Sequence, residues 1–545
     1  MQATVQVTVQ ATLVCLAAAT AAAQSDPAGF ATVITIPGDA SPASIGSDTQ
    51  ANLLPGGVLL SNNVFQLDVG APDGSSTNVE LNILGGAAGT FINAWGGAQV
   101  NLLGGRVGDV FRAQPGSSIT IAGGTLGDGF SARAGSTVEV RGGGFRLNST
   151  DLAVSAAGEL VDLPPDFVLS GTLADGTPFA FSDPTDLFFD GRVLLRPAPL
   201  PPVGPAVLQV SEVSDLLGLR AGQTALVAPG GLLQDDFNAG AGSRIVLLEG
   251  AAAGENLELV AAELTILGGG VGRDFEAFDG ALVQMESGDI GLRGALSRST
   301  LNLGGGAVND GFSADGSVLR VTGGSFAAAR QGLLLGGGSV ALVAGGAIGT
   351  QGVFVGRGFE VAEGSVANIS GGEQLTLRVL PDATVNLFGT SFTLDGAPIE
   401  GLTPGGTVEI DQRGGALAGV LASGEAFSYG LQSVSSTERF FFDADATLTV
   451  TLVQPGDYNG DGVVDGADYA VWRGNLGAET STPFTPGDGN GDGRVNQADL
   501  AIWRQAFGAG AAAVGVLAVP EPRAAGLLAV VGGFAAGRGF RRRNG

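Results

Sequence analysis

Residues 130–143, with the sequence FSARAGSTVEVRGG, carry the pattern that decides the fold. A phenylalanine begins the segment, the β-branched residues Val138 and Val140 stand two positions apart, and a pair of glycines ends it. Alternation with a period of two is typical of a β-strand that turns one face toward a core. Glycine accepts the positive φ values that a tight corner requires. The segment therefore predicts one strand and one corner of a β structure.

The same pattern recurs, and its spacing indicates the architecture. Adjoining copies begin at Phe91, Phe111 and Phe130, so the interval between them is nearly constant at roughly 20 residues. In a chain with 94 glycines among 545 residues, such a period is typical of a solenoid. We therefore predict a mainly β chain that forms a repetitive parallel β-solenoid, with paired β-sandwiches as the alternative. We expect the repeated phenylalanine to stack inside the coils. Further copies begin at Phe237, Phe275, Phe312 and Phe359.

A second, longer repeat divides the solenoid into two related modules. We expect the first module over residues 28–197, the second over 206–454, and a stiff proline-rich linker at 198–205 between them. A Phe-rich segment near the end of each module is expected to cover the open edge of its last coil. The body resembles the passenger-like (autotransporter-like) β-solenoid regions of exported bacterial surface proteins. The matching segments are TQANLLPGG at 49–57 with QTALVAPGG at 223–231, and LSGTLADG at 169–176 with LAGVLASG at 417–424.

The composition excludes several kinds of chemistry. The chain contains no lysine and no histidine, and Cys15 is its single cysteine. A Ser-His-Asp triad, a Schiff-base lysine and a zinc site built on histidine and cysteine are therefore excluded. The formal net charge of −27 would repel a phosphate backbone, so we expect no nucleic acid partner. Oxygen ligands are abundant, which favours Ca²⁺.

Two acidic loops carry the clearest chemical signal. They are DYNGDGVVDGAD at 457–468 and DGNGDGRVNQAD at 488–499. In both, side-chain oxygens stand at positions 1, 3, 5, 9 and 12, and glycine stands at position 6. With a backbone carbonyl at position 7, this is the spacing with which an EF-hand loop surrounds Ca²⁺. Both loops end in aspartate rather than the usual glutamate, and the residues that follow each loop predict a helix.

These duplicated loops, each followed by one helix, resemble the type I dockerin domain over residues 455–509. The resemblance implies a small α-helical module that binds two Ca²⁺ ions. We also expect Val464 and Val495 to pair the two loops, and Trp472 and Trp503 to pack between the helices. The implied ligands are Asp457, Asn459, Asp461, Val463, Asp465 and Asp468 for one ion, and Asp488, Asn490, Asp492, Arg494, Asn496 and Asp499 for the other, with Val463 and Arg494 contributing a backbone oxygen.

Dockerins bind cohesin modules, and in that family positions 10 and 11 of each loop, often Ser-Thr, recognise the partner. Here these positions are Gly466-Ala467 and Gln497-Ala498. The difference puts a cellulosome-type cohesin in doubt, so we expect either a cohesin-like module or another surface protein as the partner. Ca²⁺ binding is unaffected, because neither position is a ligand.

Both ends of the chain contain patterns that are typical of targeting signals. Residues 1–23 end in an apolar run of small residues, which predicts a signal peptide, although its first ten residues lack the usual basic region. At the other end, Val519-Pro-Glu-Pro, an apolar run and a terminal arginine cluster resemble the PEP-CTERM sorting signal of bacterial surface proteins. The resemblance implies that residues 519–545 anchor the chain transiently in the membrane and meet a sorting protease. We therefore expect an exported protein at the cell surface or outside the cell.

Two functions remain open for the solenoid. We favour a non-catalytic structural or adhesive surface protein that docks through its dockerin in a Ca²⁺-dependent way, with extracellular polysaccharide as a further candidate partner. The alternative is a polysaccharide lyase or glycoside hydrolase on a parallel β-helix. The carboxylates that would serve such an enzyme directly precede the repeated phenylalanine, where aspartate is a common turn residue, so we assign no catalytic residue and no organic cofactor. These carboxylates are Asp109, Asp128, Asp274 and Asp310.

Overall fold

The structure, a computed structural model, describes residues 29–59, 66–183, 185–327, 331–349, 357–433 and 439–508 of the chain. In these residues, parallel β-coils form a first stack, with strands between Thr32 and Pro197, and a second stack, with strands between Val207 and Leu452. Two helices follow. The prediction of a mainly β, repetitive parallel solenoid with a small helical module is confirmed. The β-sandwich alternative is wrong, because neighbouring coils pair in parallel.

Within the described residues, each stack contains a larger and a smaller sheet. The larger sheet of the first stack consists of Thr32–Ile36, Thr49–Leu53, Val58–Leu59, Val79–Ala88, Ala98–Val107, Ser118–Leu126, Thr137–Leu147, Thr150–Asp151, Glu159–Asp162, Val168–Leu173, Pro178–Ser182 and Arg192–Pro197. Its smaller sheet consists of Ser44–Ile45, Leu67–Val69, Ile92–Ala94, Phe111–Ala113, Ser131–Ala132 and Leu187–Phe188.

The second stack is longer. Its larger sheet consists of Val207–Val210, Val213–Ser214, Thr224–Val227, Leu232–Leu233, Arg244–Leu248, Ala252–Ala253, Glu263–Val271, Leu282–Ile290, Thr300–Leu303, Ala307–Val308, Val318–Val321, Ser325–Ala327, Val340–Val343, Ala347–Gly349, Val366–Ile369, Glu373–Gln374, Thr384–Leu394, Ala397–Pro398, Thr407–Glu409, Ala416–Leu421, Ala426–Gly430 and Thr447–Leu452. Its smaller sheet consists of Gly218–Leu219, Asn238–Ala239, Glu258–Val260, Glu276–Phe278, Ala295–Ser297, Phe312–Asp315, Gln331–Gly336, Arg357–Val361, Leu377–Val379 and Phe440–Phe442. The helices are α1, Gly466–Asn475, and α2, Gln497–Ala506.

Several successive coils stack with the same offset. Ser118 pairs in parallel with Gln99 on one side and with Thr137 on the other, so the chain advances by the same number of positions in both coils. The second stack keeps this offset where Arg244 pairs with Glu263. The constant register brings equivalent side chains of successive coils into columns.

The repeated phenylalanines occupy one such column inside the coils. Phe111 and Phe130 are fully buried in adjacent coils, with ring centroids 5.5 Å apart. In the second stack, phenylalanine occupies this position in every second coil. In the coils between, the same position holds leucine or glycine. A Cβ added at Gly294 would lie 2.7 Å from the ring of Phe312, so the glycine leaves room for that ring. The expected Phe-on-Phe stacking is therefore wrong for the second stack, where the column runs Phe237, Leu257, Phe275, Gly294, Phe312, Leu333, Phe359.

Phe91 is an exception within the first stack. Ile92, rather than Phe91, pairs with Phe111 and continues the buried column. The unit that begins at Phe91 is one residue longer than its neighbours, and Phe91 itself adopts a positive φ of 62°. The extra residue turns the ring outward, where it is 40% exposed and lies 5.9 Å from the guanidinium of Arg112.

The paired glycines form a second column, at the bend of each long strand. Gly86, Gly105 and Gly124 follow one another in successive coils with φ between 71° and 80°. A Cβ added at Gly124 would lie 2.5 Å from the carbonyl oxygen of Gly105. Only glycine fits here, because both the backbone conformation and the close approach of the next coil exclude a side chain.

Each stack ends in the same antiparallel hairpin. In both hairpins a phenylalanine packs against a phenylalanine of the last long strand: Phe145 and Phe179 have ring centroids 6.3 Å apart, and Phe392 and Phe427 have them 5.9 Å apart. An antiparallel hairpin covers the open edge of a parallel stack. The hairpins are Val168–Leu173 with Pro178–Ser182, which joins Thr137–Leu147, and Ala416–Leu421 with Ala426–Gly430, which joins Thr384–Leu394.

The two stacks lie side by side. Residues between them contact both: Ala198 donates a backbone hydrogen bond to Gly142 of the first stack at 2.7 Å, and Arg220 of the second stack donates to the carbonyl of Pro201 at 2.6 Å. A small apolar cluster crosses the boundary. It consists of Val168, Ala180, Val260 and Phe278.

Candidate calcium-binding module

Each acidic loop ends by starting a helix. The carboxylate of Asp465 accepts a hydrogen bond from the N–H of Ala467 at 2.7 Å, and the carboxylate of Asp468 accepts one from the N–H of Asp465 at 2.8 Å. Asn496 and Asp499 form the same reciprocal capping box at the start of α2. Such a box satisfies N–H groups that the first turn of a helix leaves without partners. Position 12 of each loop therefore fixes the helix to the loop.

The backbone N–H groups of the first loop point inward toward its carboxylates. Asp457 accepts hydrogen bonds from the N–H groups of Gly460 and Gly462, both at 2.8 Å. Asp468 accepts another from Tyr458 at 2.7 Å. Gly462, at position 6, has φ 85°, which provides the sharp bend expected there.

The second loop repeats this network at the equivalent positions. Asp488 accepts hydrogen bonds from the N–H groups of Gly491 at 2.9 Å and Gly493 at 3.1 Å. Asp499 accepts one from Gly489 at 2.8 Å. Gly493 has φ 77°, so the bend at position 6 is repeated as well.

The loops are joined through the two tryptophans. The indole N–H of Trp472 donates to the carbonyl of Asn496 at 2.7 Å, and the indole N–H of Trp503 donates to the carbonyl of Asp465 at 2.8 Å. Each helix is therefore bound to position 9 of the other loop. Trp472 is buried, whereas Trp503 is half-buried and packs against the same small core. The expectation that the tryptophans pack between the helices is confirmed.

The expected pairing of Val464 with Val495 is wrong. Both valines are buried, but the carbonyl of Val464 accepts from the N–H of Gly508 at 2.9 Å. The N–H of Val495 donates to the carbonyl of Ala478 at 3.0 Å. Their main chains therefore bind the segments that follow α2 and α1, and the side chain of Val495 packs with Trp472 and Leu500 in the core of the module.

One hydrogen-bond pattern, one glycine bend and one way of starting a helix thus occur twice at a fixed offset. Residues 455–508 match the dockerin type I domain. A dockerin domain supports a Ca²⁺-dependent docking role and implies a cohesin-type partner, and such domains occur in extracellular or cell-surface proteins. No curated protein and no solved structure matches the chain.

The donors of the dockerin domain fit Ca²⁺ chemically. Each loop offers aspartate and asparagine oxygens together with a main-chain carbonyl, which are the hard ligands that Ca²⁺ prefers. In the described part of the chain, no three acidic side chains are arranged around a common centre, and the loop carboxylates accept backbone hydrogen bonds. Residues of both loops nevertheless keep the spacing of a Ca²⁺ loop and the glycine bend that such a loop needs.

The two loops differ in exposure. Asp461 of the first loop is exposed, whereas Asp488 and Asp492 of the second are only 2% and 4% exposed. Burial, followed by the negative charges of Asp492 and Asp499, raises the pKa of Asp488 to about 7. A buried group of carboxylates repels itself unless a cation compensates for it. A bound cation should therefore stabilise the second loop more than the first.

The second loop is buried because the dockerin domain packs against the second stack. The hydroxyl of Ser370 donates to the carbonyl of Asn490 at 2.6 Å, and the guanidinium of Arg320 donates to the carbonyl of Thr480 at 3.2 Å. Sequence reasoning missed this contact. Ser370 and Arg320 stand at ordinary positions of the solenoid repeat, so no pattern distinguishes them.

A groove of about 620 Å³ separates the first loop from the end of the second stack. Asp457 and Tyr458 line it on the dockerin side, and Phe388 and Thr451 line it on the solenoid side. The first loop therefore faces solvent. The positions that recognise the partner in other dockerins, Gly466-Ala467 and Gln497-Ala498, are exposed on both helices.

Three of the four aspartates considered for an enzyme lie near one another where the stacks meet. Burial, followed by the negative charges of Glu276, Asp109 and Asp274, raises the pKa of Asp128 to about 8. Such a carboxyl group resembles the raised-pKa acid of a glycosidase. A catalytic cleft would also have to admit a sugar ring, and a cavity at the boundary of the stacks, lined by Thr125, Asn238 and Glu258, has only about 20 Å³.

The other three aspartates have a turn conformation or a hydrogen-bond partner that Asp128 lacks. Asp274 has φ 58°, and Asp310 accepts a hydrogen bond from the N–H of Gln331 at 2.7 Å. Asp109 accepts one from the side chain of Asn256 at 3.2 Å. The carboxylate of Asp128 accepts no hydrogen bond from the described residues, so a turn role does not explain it.

The predicted signal peptide, residues 1–23, and the predicted sorting tail, residues 519–545, lie outside the described residues. Among the helices that the structure describes, none has the length and apolar character needed to cross a bilayer.

Proposed function

We propose that this chain is a non-catalytic structural or adhesive protein of the cell surface or extracellular space. Its two solenoid stacks form a rigid body that carries the dockerin domain, and the dockerin attaches that body to another protein. The observation that supports this most is the packing of the dockerin domain against the end of a repetitive solenoid. A domain held in this way presents its exposed helices in one fixed orientation.

Docking depends on two bound Ca²⁺ ions in this proposal. The inward-pointing N–H groups already hold each loop in a closed shape, and a cation would replace the mutual repulsion of the carboxylates with coordination. The ligands of the first ion are Asp457, Asn459, Asp461, Val463, Asp465 and Asp468, and those of the second are Asp488, Asn490, Asp492, Arg494, Asn496 and Asp499.

The partner binds the exposed faces of α1 and α2. At loop positions 10 and 11, Gly466-Ala467 offers no side-chain hydrogen bond, whereas Gln497 offers an amide. A cohesin-type module that recognises this chain therefore presents an apolar surface to α1. The same reasoning admits another surface protein with such a surface.

Export and sorting complete the proposal. Residues 1–23 direct the chain out of the cytoplasm, and the apolar run after Pro522 holds it in the membrane until a sorting protease acts. The arginines at the end of the chain stay on the cytoplasmic side. The solenoid and the dockerin are then displayed outside.

Binding of the full-length protein to a panel of cohesin-type modules, measured in Ca²⁺ and in chelator, tests the docking role. We expect binding by at least one module, and we expect chelation to abolish it. Ala467→Trp should also abolish it by covering α1, while Ala397→Trp, at an exposed position of the second stack, serves as the matched control. Binding that persists in chelator, or that survives Ala467→Trp, would contradict the proposal.

A carbohydrate-active enzyme is the second candidate, and the raised pKa of Asp128 beside Asp109 and Asp274 is the observation that favours it. The full-length protein, assayed on acidic and neutral polysaccharides, distinguishes the two. Turnover that disappears in Asp128→Asn would establish the enzyme and refute the non-catalytic proposal.

A further inference from the structure

Four carboxyl groups lie within reach of one another's charge where the two stacks meet. We call them the boundary carboxylates: Asp128 and Asp186 of the first stack, and Glu258 and Glu276 of the second. Glu258 and Glu276 pair in register on successive coils of the smaller sheet. The hydroxyl of Thr185 in the first stack donates to Glu276 at 3.1 Å. Acidic side chains of both stacks therefore take part in one contact.

The boundary carboxylates have few groups that would stabilise their negative charge. In the described part of the chain, neither Asp128 nor Glu258 accepts a hydrogen bond. Asp186 accepts two, from the N–H groups of Phe130 at 3.0 Å and Ser182 at 3.2 Å. The neighbouring acidic residues whose charges also reach Asp128 are Asp109 of the first stack, and Asp236 and Asp274 of the second.

The arginines near this boundary bind other groups. Arg293 and Arg273 both bind Asp274, with N···O distances of 2.6 Å and 3.6 Å. Arg106 donates to the carbonyl of Leu216 at 3.2 Å. A carboxyl group with little water and with negative neighbours favours its protonated form. The contact between the stacks therefore favours the boundary carboxylates as neutral acids.

The pKa values agree with this arrangement. Burial, followed by the negative charge of Glu276, raises the pKa of Asp128 to about 8, and burial raises the pKa of Glu276 to about 7. Burial also raises the pKa of Asp186 and Glu258 well above their usual range. In separated stacks these groups would return to water, where their pKa is about 4. The joined arrangement is therefore most stable below about pH 4, and it loses stability as the pH rises toward about 8.

A neighbouring amide gives independent evidence for a proton on Glu258. The side-chain oxygen of Asn238 is buried without a hydrogen-bond partner, and the residue is only 6% exposed. Asn238 pairs in register with Glu258, and both line the cavity of about 20 Å³ at the boundary. A carboxylate only accepts hydrogen bonds, whereas a carboxylic acid also donates one. A protonated Glu258 can therefore supply the donor that Asn238 lacks.

The apolar cluster that crosses the boundary is small. Among the described residues it contains only Val168, Ala180, Val260 and Phe278. Domains of one chain move relative to each other unless a large apolar interface holds them. The charge state of the boundary carboxylates therefore has a strong influence on whether the stacks stay together.

We propose that the boundary between the two stacks is a pH-sensitive joint, which is closed while the boundary carboxylates are protonated and opens when they ionise. At acid pH the stacks stay side by side as one rigid body. As the pH rises, repulsion among the carboxylates and their return to water favour separation about the proline-rich segment 198–205. The joint is independent of docking and goes beyond the proposed function.

Small-angle X-ray scattering of the full-length protein at about pH 5 and about pH 9 tests the joint. We expect the radius of gyration to increase reversibly at the higher pH. The triple variant with Asp128→Asn, Glu258→Gln and Glu276→Gln should keep the smaller radius at both pH values, because its amides donate hydrogen bonds and cannot ionise. The exposed control pair Glu363→Gln with Glu409→Gln should expand like the unaltered protein.

Two scattering results would overturn the proposal. One is an unaltered protein with the same radius at both pH values, which needs no substitution to establish. The other is a triple variant that still expands, since the expansion would then come from another part of the chain, such as the dockerin loops. Neither result affects the docking role, which is measured by binding to cohesin-type modules.

Infrared spectroscopy gives a second readout that follows the protons themselves. At about pH 6, carboxyl groups in water are ionised, so a carboxylic acid C=O band reports groups that the fold keeps protonated. We expect this band to be stronger in the unaltered protein than in the triple variant, and to decline over the pH range in which the radius increases. Bands of equal strength in the two proteins would also overturn the proposal.

Discussion

The ring of Phe484 in the dockerin domain lies 4.9 Å from the ring of Phe388 in the last long strand of the second stack, with the planes inclined at 34°. Phe388 points out of the solenoid, and without the dockerin domain its ring would be exposed to water. An aromatic pair of this kind contributes about 0.5–1.5 kcal/mol beyond its buried area. The dockerin domain is thus held by an apolar contact and is not a freely tethered unit.

Phe388→Ala should loosen the dockerin domain from the stack while leaving the domain itself folded. We expect limited proteolysis of the connection at 453–456 to become about two- to tenfold faster, in line with the lost pair energy. Phe189→Ala, which removes a 52% exposed ring from the first stack, is the control. Equal cleavage rates in the two variants would show that the aromatic contact does not hold the domain.

Replacing Asp457 and Asp468 with alanine should remove one Ca²⁺ per chain relative to the unaltered protein. Each loop has its own ligands, so the second loop should keep its ion. Isothermal titration calorimetry measures the stoichiometry, and Asp411→Asn with Asp445→Asn, two exposed residues of the solenoid, gives the control. An unchanged number of ions would refute the assignment of the first loop.

Trp472→Phe should weaken the coupling between the two loops. The substitution keeps an aromatic ring but removes the N–H that donates to the carbonyl of Asn496, and a hydrogen bond of this kind contributes about 0.5–1.5 kcal/mol. Helical circular dichroism during chelator titration should therefore be lost at a lower chelator concentration. Trp503→Phe should have a smaller effect, since Trp503 is half-buried. The reverse order would contradict the structure.

Phe130→Ala should destabilise the first stack by about 3–5 kcal/mol, because a fully buried ring leaves a cavity. Denaturant unfolding followed by the fluorescence of Trp95, with Trp472 and Trp503 replaced by phenylalanine, isolates this stack. The matched variant Phe91→Ala should cost under about 1 kcal/mol, as its ring is turned outward. For Phe130→Ala, a loss below about 1 kcal/mol, the range of a surface substitution, would count against the buried column.

Glu521→Ala with Pro522→Ala should block removal of the C-terminal tail, because the substitutions alter the peptide that the sorting protease would recognise. The unaltered surface protein should end close to Pro522 and lack the arginine cluster. Intact-mass measurement of protein from the native cell surface decides this. A mature chain that still ends at Gly545, in a cell that has the sorting protease, would make the tail a plain membrane anchor.

The sequence predicted the solenoid and the dockerin because both depend on spacing. Alternating residues such as Val138 and Val140 define an inward face, and the loop positions of Asp457 and Asp488 define a repeated network. The outward turn of Phe91 was missed, since one additional residue in a corner moves a side chain out of its column. Periodicity alone does not show which corner of the coil contains the additional residue.

Contacts between the folded units were not predictable in the same way. Asp128, Glu258 and Ser370 occupy outward positions, where the repeat accepts almost any polar residue. Their roles depend on which surfaces meet in three dimensions. A one-dimensional pattern contains no such information, so the side-by-side stacks and the packing of the second loop emerge only from the structure.

The antiparallel hairpins that end both stacks allow the number of coils in such a protein to change during evolution. Where successive coils share one offset, as at Gln99, Ser118 and Thr137, duplication or deletion of one whole coil leaves the register of the neighbouring strands unchanged. Each event alters the height of a stack by about 4.8 Å, the spacing of paired strands. Because the hairpin always pairs with the last long strand, it stays at the end whatever the number of coils. Reach can therefore change in small steps between related proteins, while the dockerin keeps its place as long as the coils that carry Arg320, Ser370 and Phe388 are retained.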